Sequence, residues 1–385
     1  MDYRDFFGIE YPIIQATMTH NGDWPLAAAI SNAGGLGVLM TNGGYDDVWL
    51  DEQIANLKRA TTNPFSVALF QRPHQTERNY LQNSNDVPLW NKETKLYNHK
   101  STHPHYSTDA SEDHKLIIDN IVKHIKLTDT MLDVCIDHGV KSVHLLGDRP
   151  QVDLVKKCKQ NNIRIISKIH GHGHDAFRRQ RSYGSEAVIL KGYESAGYIG
   201  HESIKEMILK AKEIDSNLPI ISSGGIFTTE DIQEHLDMGV MAVQLGTRFV
   251  CAKESSAHPN YKRAVINSSK DKVQVSHNVF TKTWPRPTRA IVSEETNNYM
   301  KNYRDIITQL EKNEITADEA QTTLLRLPST KLKRKYNGNE HLAEAIIEGD
   351  IKNGCVMVGA SAYKITSEET VEEIMQKLIS GLCLT

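Results

Sequence analysis

The sequence has few cysteines, no long apolar segment and almost no net charge. Its five cysteines are scattered among 385 residues without paired spacing, which fits free thiols in a reducing compartment and argues against a disulfide framework or a cysteine zinc site. No apolar run approaches the roughly 20 residues that a membrane-spanning helix needs, and the first residues do not resemble a cleavable leader. The net charge of -3 gives no electrostatic basis for binding nucleic acid or an anionic membrane. We therefore expect a soluble, cytoplasmic protein.

What the chain does have is a regular alternation of short apolar strands with helices. Strands that alternate with helices are typical of a parallel sheet. The predicted strands are Tyr11–Gln15, Leu36–Met40, Phe65–Phe70, Ser142–Gly147, Arg164–Ile169, Ala187–Gly192, Pro219–Ser223 and Ala242–Leu245. Their number and spacing predict an α/β fold, a TIM-type (β/α)8 barrel, with an open doubly wound sheet as the alternative. The chain length leaves room for a second, smaller domain.

The segment 218–249 carries the clearest functional pattern. Its two predicted strands both end in residues without bulky side chains, so that bare main-chain N–H groups meet at one edge of the sheet. These residues are Ser223, Gly224, Gly225, Gly246 and Thr247. In a β/α barrel the loops after strands seven and eight commonly close around a phosphate. We therefore predict a phosphate site here.

A long polar stretch, residues 71–114, interrupts the alternation after the third strand. It contains five of the chain's 17 histidines and three prolines, and it is too long for an ordinary βα loop. Because it follows a barrel strand, it belongs to the catalytic face. The stretch is either a lid over the substrate or a mobile surface insertion.

Three histidines, His170, His172 and His174, alternate with glycines after the fifth strand. On an extended segment alternate side chains point the same way, so the three imidazoles could converge on one metal. The same pattern fits binding of an anionic substrate, capping of the next helix or exposure to solvent. We predict no metal site and keep the three residues as candidate substrate contacts.

The loop after the sixth strand combines small residues with two candidates for proton transfer. Ala196 and Gly197 allow the backbone to approach a flat ring, and Tyr198 or His201 can point over that ring. Two capping pairs predict the starts of the following helices: Ser203 with Glu206, and Thr228 with Asp231.

Several motifs, in this order along the chain, together resemble one family. They are PIIQATM, SNAGGLGVL, KGYESAGYIG, PIISSGGIFTTEDI, AVQLGTRF, AKESSAHPNYK and PRPTRAI. On these motifs the chain is identified as a member of the nitronate monooxygenase family, which includes the nitropropane dioxygenases and the FMN-dependent enoyl-acyl carrier protein reductases. The C-terminal HLAEAIIEGDIKNGCVMVG and SEETVEEI are most similar to the reductases.

The resemblance implies an FMN-binding barrel at residues 1–250, a second, mostly helical domain at 251–338 that folds over the flavin, and C-terminal helices at 339–385 that return to the barrel. The implied contacts near the flavin ring are Ala16, Thr17, Met18 and Gln244, and those to the phosphate are Gly225, Gly246 and Thr247. Lys191, at the end of the sixth strand, either neutralises charge near flavin N1 or the phosphate, or is a solvated lysine.

Three positions depart from the family pattern. Tyr198 stands where the family usually has a histidine, Ala68 where an asparagine is common, and Ala360 where a glutamine is common. A phenol with an ordinary pKa of about 10 is a poor base at neutral pH but can donate a proton. The family's usual substrate therefore does not transfer directly to this chain.

The leading hypothesis is hydride transfer from reduced FMN to an activated C=C bond, with Tyr198 as proton donor and NADH or NADPH as electron donor. Oxidation of a pre-formed nitronate with O2 is the alternative, because a nitronate needs no base. His201 replaces the missing imidazole if the loop is shifted by a few residues. A flavin-binding protein without turnover is a third hypothesis.

Beyond the barrel, Arg289 is expected to anchor the two domains or to bind a substrate carboxylate or phosphate. The basic run 331–335 suits docking of an acyl carrier protein, or is simply a solvated face. The expected partners are a small-molecule or acyl-thioester substrate, an acyl carrier protein and a second copy of the chain in a homodimer, without nucleic acid or membrane.

Overall fold

The computed structural model describes residues 2–41, 45–70, 89–91, 96–98, 127–146, 150–170, 173–200, 202–277, 287–316, 319–320, 323 and 340–384. His172, His201, the run 331–335 and most of the stretch 71–114 lie outside the described residues, so the predictions for them stay predictions. For His170 and His174 the backbone alone is described.

The strands are numbered along the chain. They are β1 Ile13–Gln15, β2 Gly37–Met40, β3 Phe65–Phe70, β4 Leu89–Asn91, β5 Leu96–Asn98, β6 Ser142–Leu146, β7 Arg164–His170, β8 Ala187–Lys191, β9 Gly197–Tyr198, β10 Ile220–Ser223, β11 Ala242–Leu245, β12 Val273–His277, β13 Pro287–Ile291 and β14 Val356–Met357. β4 and β5 pair with each other as an antiparallel hairpin.

Eight parallel strands form the barrel, in the order β1-β11-β10-β8-β7-β6-β3-β2. The two ends of this sheet meet, because Leu36 N donates to Ile13 O at 2.9 Å and Gln15 N donates to Leu36 O at 2.9 Å. The side chain of Gln15 extends the seam, with its Oε1 accepting from Val38 N at 3.0 Å. The predicted barrel is confirmed, and β3 and β11 have the predicted bounds.

Helices follow most of the barrel strands and cover the outside of the sheet. They are Tyr3–Phe7, Trp24–Asn32, Asp47–Ala60, residues 127–137, Val152–Gln160, Gly173–Gln180, Ile204–Ile214, Thr229–Asp237 and Thr247–Val250, then Pro259–Ile266, Glu294–Glu311, Glu340–Ile346 and Val371–Ile379. Both predicted capping boxes are present, at Ser203 with Glu206 and at Thr228 with Asp231. No described helix is both long and apolar enough to cross a membrane.

The core has an inner and an outer layer. Inside the barrel, apolar side chains from alternate strand positions pack together, and Tyr3, Phe6 and Phe7 of the first helix pack against them. Outside the barrel, two clusters fill the space between strands and helices. One contact there depends on glycine, because a Cβ at Gly37 would lie 2.0 Å from Ala27 O of the neighbouring helix.

The region after the barrel contains a small antiparallel sheet as well as helices. β13 pairs with β12 and β14, and it also pairs with β9 from the loop after β8. β9 and β14 are two residues long, too short for the alternating pattern that marks a strand in a sequence. This sheet fixes the loop after β8 to the region after the barrel.

The two closing helices pack in different places. Glu340–Ile346 contributes Leu342, Ala345 and Ile346 to the cluster of the region after the barrel. Val371–Ile379 contributes Val371, Ile374, Met375 and Leu378 to an outer cluster of the barrel. The end of the described chain is therefore part of the barrel's own core.

Candidate functional site

Two glycine-containing turns leave the adjacent strands β10 and β11 at the same edge of the barrel. Gly224 and Gly225 have φ values of 132° and 75°, a range that favours glycine. The N–H groups of Gly224, Gly225 and Gly246 donate no hydrogen bond to any residue that the structure describes. Both turns are partly exposed. The two turns thus present unpaired main-chain donors side by side, an arrangement suited to an anion.

The loop after β8 packs directly onto the first of these turns. Ser195 Oγ donates to Ser223 O at 3.0 Å. A Cβ at Gly224 would lie 2.7 Å from Ser195 Oγ, and one at Gly225 would lie 2.9 Å from Glu194 Cβ. Larger residues would therefore force the turn away from the loop.

The second turn meets the region after the barrel. Thr247 Oγ1 accepts from Gly359 N at 2.9 Å, and a Cβ at Gly359 would lie 3.9 Å from Ala196 N. Residue 360 joins the same junction, where Ala360 N donates to Glu194 O at 2.9 Å. Loops after three barrel strands and the segment 359–360 converge here.

The loop after β1 crosses to the second turn and to the opposite wall. A Cβ at Gly246 would lie 3.2 Å from Ala16 Cβ and 3.7 Å from Met18 Sδ. Thr17 Oγ1 accepts a hydrogen bond from Lys168 Nζ at 2.6 Å. β7 and β1 are four places apart around the eight-stranded barrel, so this bond spans its mouth.

Two lysines, Lys168 and Lys191, lie at the mouth. Lys168 on β7 is buried, and burial lowers its pKa to about 8. Lys191, the last residue of β8, is half-buried; desolvation of its amine, together with the positive charge of Lys168, holds its pKa well below the usual range. Neither lysine forms an ion pair with a carboxylate among the described residues. The electrostatic environment favours an anion or an electron-rich group.

Two further buried residues inside the barrel strands carry polar atoms without a partner among the described residues. Neither ring nitrogen of the fully buried His144 has a hydrogen-bond partner among the described residues, and burial, with the charge of Lys168, lowers its pKa to about 3. On the opposite strand, Gln244 Nε2 donates to Gln15 O at 3.3 Å while Gln244 Oε1 is unpaired within the described chain. Such atoms are rare in folded proteins.

Tyr198 belongs to a strand rather than to a free loop. It pairs with Thr288, its neighbour Gly197 pairs with Arg289, and its own side chain is partly exposed. Arg289 is buried, donates from Nη2 to Tyr193 O at 2.7 Å and lies over the Tyr193 ring at 4.8 Å. The contacts of Arg289 therefore anchor the loop after β8 to β13.

The histidines at the end of β7 do not all lie on one extended segment. His170 is the last residue of β7, and a helix begins at Gly173, so His174 lies in a helical turn. The alternation that would make three side chains point the same way therefore fails. No group of three metal-binding side chains occurs among the described residues.

The structure brings most of the residues predicted to bind the cofactor together at the mouth, and two residues that the sequence analysis did not single out lie near them. Lys168 and His144 are polar residues inside otherwise apolar strands, in RIISKIH and SVHLL. That position is itself a signal, because charged and strongly polar side chains are rarely fully buried.

Comparison with known proteins now identifies the family. The family model described as nitronate monooxygenase matches residues 2–381. The chain belongs to the nitronate monooxygenase family. A protein of Staphylococcus saprophyticus named "Probable nitronate monooxygenase" is 29% identical over 297 residues, which are 74% of this chain and 77% of the relative. A Staphylococcus aureus protein of the same name is 26% identical over 270 residues, 68% of this chain and 70% of the relative.

Solved structures show the same fold. FabK from Thermotoga maritima has a TM-score of 0.66 at 24% identity, with 98% of this chain and 94% of that chain covered. Nitroalkane oxidase from Streptomyces ansochromogenes has a TM-score of 0.64 at 20% identity, with 98% and 96% covered. As a member of the nitronate monooxygenase family, the protein is an oxidoreductase enzyme and a flavoprotein.

Proposed function

We propose that the protein is an FMN-dependent oxidoreductase that binds the FMN phosphate at the turns after β10 and β11. The observation that carries this proposal is the row of N–H groups at Gly224, Gly225 and Gly246, which donate no hydrogen bond within the described part of the chain. Main-chain donors of this kind suit a phosphate because they add hydrogen bonds without requiring a cationic side chain. The residues of the site therefore fit the cofactor of the family.

The flavin ring is proposed to lie across the mouth, against Ala16, Thr17 and Met18. Lys168 and Lys191 are the residues that would favour negative charge on it, because no carboxylate pairs with either among the described residues. Gln244 supplies an unpaired amide oxygen beneath the mouth. FMN, when bound, accepts a hydride from an electron donor and passes it to a substrate.

The proposed reaction is reduction of an activated C=C bond with NADH or NADPH as electron donor. Hydride transfer to one carbon requires a proton on the other, and Tyr198 is the proposed donor. Its backbone is fixed in β9 by pairing with Thr288 of β13, which supports a defined position for the phenol. The proposed substrate is an enoyl thioester or a related enone.

Anaerobic mixing tests the reductase proposal. NADH or NADPH should bleach the yellow flavin absorbance, and an enone or enoyl thioester should restore it. Tyr198→Phe should slow the second step by about 100-fold, the scale of general acid catalysis, while bleaching proceeds at the original rate. Failure of both nucleotides to bleach the flavin contradicts the reductase proposal, and an unchanged second step rejects Tyr198 as donor.

Oxidation of a nitronate is the second candidate. Two lysines without carboxylate partners at the mouth favour an anionic substrate, and the curated relatives carry the name nitronate monooxygenase. Oxygen consumption with a series of pre-formed nitronates checks this activity. Absence of turnover with all of them, in protein that binds FMN, counts against it.

A further inference from the structure

Two lysines from neighbouring strands lie close together inside the barrel mouth. Lys168 belongs to β7 and Lys191 to β8, two strands that pair in parallel with Lys168 opposite Ile189. Along β8, Ala187 and Ile189 belong to the inner cluster of the barrel. Since alternate residues of a strand share a face, Lys191 points into the barrel as well. The two amines are near enough for the positive charge of Lys168 to lower the pKa of Lys191.

The two amines differ in what they contact. Lys168 Nζ donates to Thr17 Oγ1 at 2.6 Å, and only 5% of this residue is exposed. Lys191 is half-buried, and its Nζ has no hydrogen-bond or ion-pair partner among the side chains that the structure describes. The amine of Lys191 is therefore the one that a molecule entering the mouth can meet.

The first phosphate turn begins beside Lys191. Ser223 lies opposite Lys191 where β10 pairs with β8, and Gly224 follows directly. Paired strands are about 4.8 Å apart. Ser223 faces the inside of the barrel, because Ile221, two residues earlier, belongs to the inner cluster. A phosphate on the N–H groups of Gly224 and Gly225 would thus lie within a few carbon atoms of the Lys191 amine.

The surroundings of Lys191 suit covalent chemistry with carbonyl groups. An amine attacks a carbonyl carbon only in its neutral form, which a low-polarity site or a second cation favours. Both conditions hold for Lys191, because desolvation and the charge of Lys168 lower its pKa. An ordinary exposed lysine has a pKa of about 10.4 and is almost entirely protonated at pH 7. Lys191 should therefore react ahead of the surface lysines.

We propose that the barrel mouth binds small phosphorylated aldehydes and ketones, with the phosphate on the turn at Gly224 and Gly225 and the carbonyl carbon joined to Lys191 Nζ as an imine. The activity goes beyond the proposed flavin chemistry, because it needs neither flavin nor electron transfer. It rests on the phosphate site of the proposed function. FMN and the carbonyl compound should therefore exclude each other.

The step balances without an oxidant or a reductant. The neutral amine of Lys191 adds to the carbonyl carbon, so that a C–N bond forms while the π bond of the C=O group breaks. The carbonyl oxygen then leaves as water with the two hydrogens that the amine nitrogen gives up. A C=N double bond remains between the bound molecule and the lysine.

Reductive trapping tests the proposal, because sodium cyanoborohydride converts an imine into a stable amine. The full-length protein is incubated at pH 7 with glyceraldehyde 3-phosphate, and peptide mass spectrometry locates the modified lysine. The adduct should form first at Lys191. Unphosphorylated glyceraldehyde should react there at least about 10-fold more slowly, because it lacks the charged hydrogen bonds to the turn. Labelling spread evenly over the surface lysines, or equal rates for the two aldehydes, overturns the proposal.

Three variants separate the chemistry of the amine from its charge. Lys191→Arg keeps the positive charge but forms no such imine, so the fast phase of labelling should disappear. Lys168→Met removes the neighbouring charge, and trapping at Lys191 should slow because more of that amine is protonated. Lys205→Gln is the control, because Lys205 is an exposed lysine paired with Glu234 and its loss should leave trapping at Lys191 unchanged. A fast phase that persists in folded Lys191→Arg protein contradicts the assignment.

FMN separates this inference from the proposed function. Saturating FMN should protect Lys191 from trapping, because its phosphate occupies the same turn. Protein that binds FMN but forms no adduct at Lys191 in its absence overturns the inference and leaves the proposed function intact. An adduct at Lys191 in protein that takes up no FMN supports the inference and overturns the proposed function. Equal trapping with and without bound FMN overturns the shared phosphate site and the inference with it.

Discussion

At the residue scale, two lysines define the electrostatics of the barrel mouth. Lys168 is the more deeply buried of the pair, and its pKa is about 8 in the folded protein against an ordinary value of 10.5. Below pH 8 the folded protein carries the full cost of a buried charge. Between pH 8 and 10.5 the folded state releases this proton while the unfolded chain keeps it, so the free energy of unfolding rises with pH.

Lys168→Met should remove that rise. Urea unfolding at intervals from pH 7.5 to 10.5 measures it, as the difference between wild type and variant at each pH. The variant should be more stable at low pH and lose this advantage as pH increases, because its side chain carries no charge to desolvate. Parallel curves for the two proteins contradict the assignment of Lys168 as a buried amine with a lowered pKa.

At the element scale, Arg289 of β13 binds the loop that follows β8. Arg289→Gln removes the charged hydrogen bond to Tyr193 O, which contributes about 1.5–3 kcal/mol, and it also loses the contact with the Tyr193 ring. Amide hydrogen exchange of residues 193–198 should accelerate. Arg181→Gln is the control, because this exposed arginine pairs with Asp215 at the surface and should change stability by less than about 1 kcal/mol. Unchanged exchange at residues 193–198 rejects the anchoring role.

The sequence was most informative where an element is long or strongly patterned. The barrel strands are apolar runs buried on both faces, so β3 and β11 could be predicted to the residue. The capping residues Ser203 and Thr228 predicted the starts of their helices. β9 and β14 gave no such pattern, because each is two residues long and its partner is distant in the chain. The phosphate turns were visible as glycines, whereas the position of Lys168 across the mouth depends on which strands face each other.

At the scale of the whole molecule, the last helix ties the end of the chain to the barrel. Leu378 is buried in an outer cluster of the barrel, and Met375 Cε lies 3.3 Å from where a Cβ at Gly35 would be. Leu378→Ala should therefore cost about 2–5 kcal/mol of unfolding free energy.

Unfolding of Leu378→Ala should remain a single transition by both fluorescence and circular dichroism, because the helix belongs to the barrel core. Leu209→Ala is the control, since that leucine is 57% exposed and should change stability by less than about 0.5 kcal/mol. Two separate transitions, with the barrel unaffected by Leu378→Ala, would show that the closing helix is independent of the barrel.

Titration of flavin-free protein with FMN tests the central claim that main-chain donors of the two turns hold the cofactor phosphate. The wild type should bind about one FMN per chain and quench its fluorescence. Gly225→Ala, at a φ of 75° and against Glu194, should bind at least about 10-fold more weakly, because relief of about 1–3 kcal/mol of backbone strain displaces the N–H groups of the turn. Gly381→Ala has a similar φ of 87° in open space and should bind FMN like the wild type. Wild-type protein that takes up no FMN, or Gly225→Ala protein that binds it as tightly, would contradict the account.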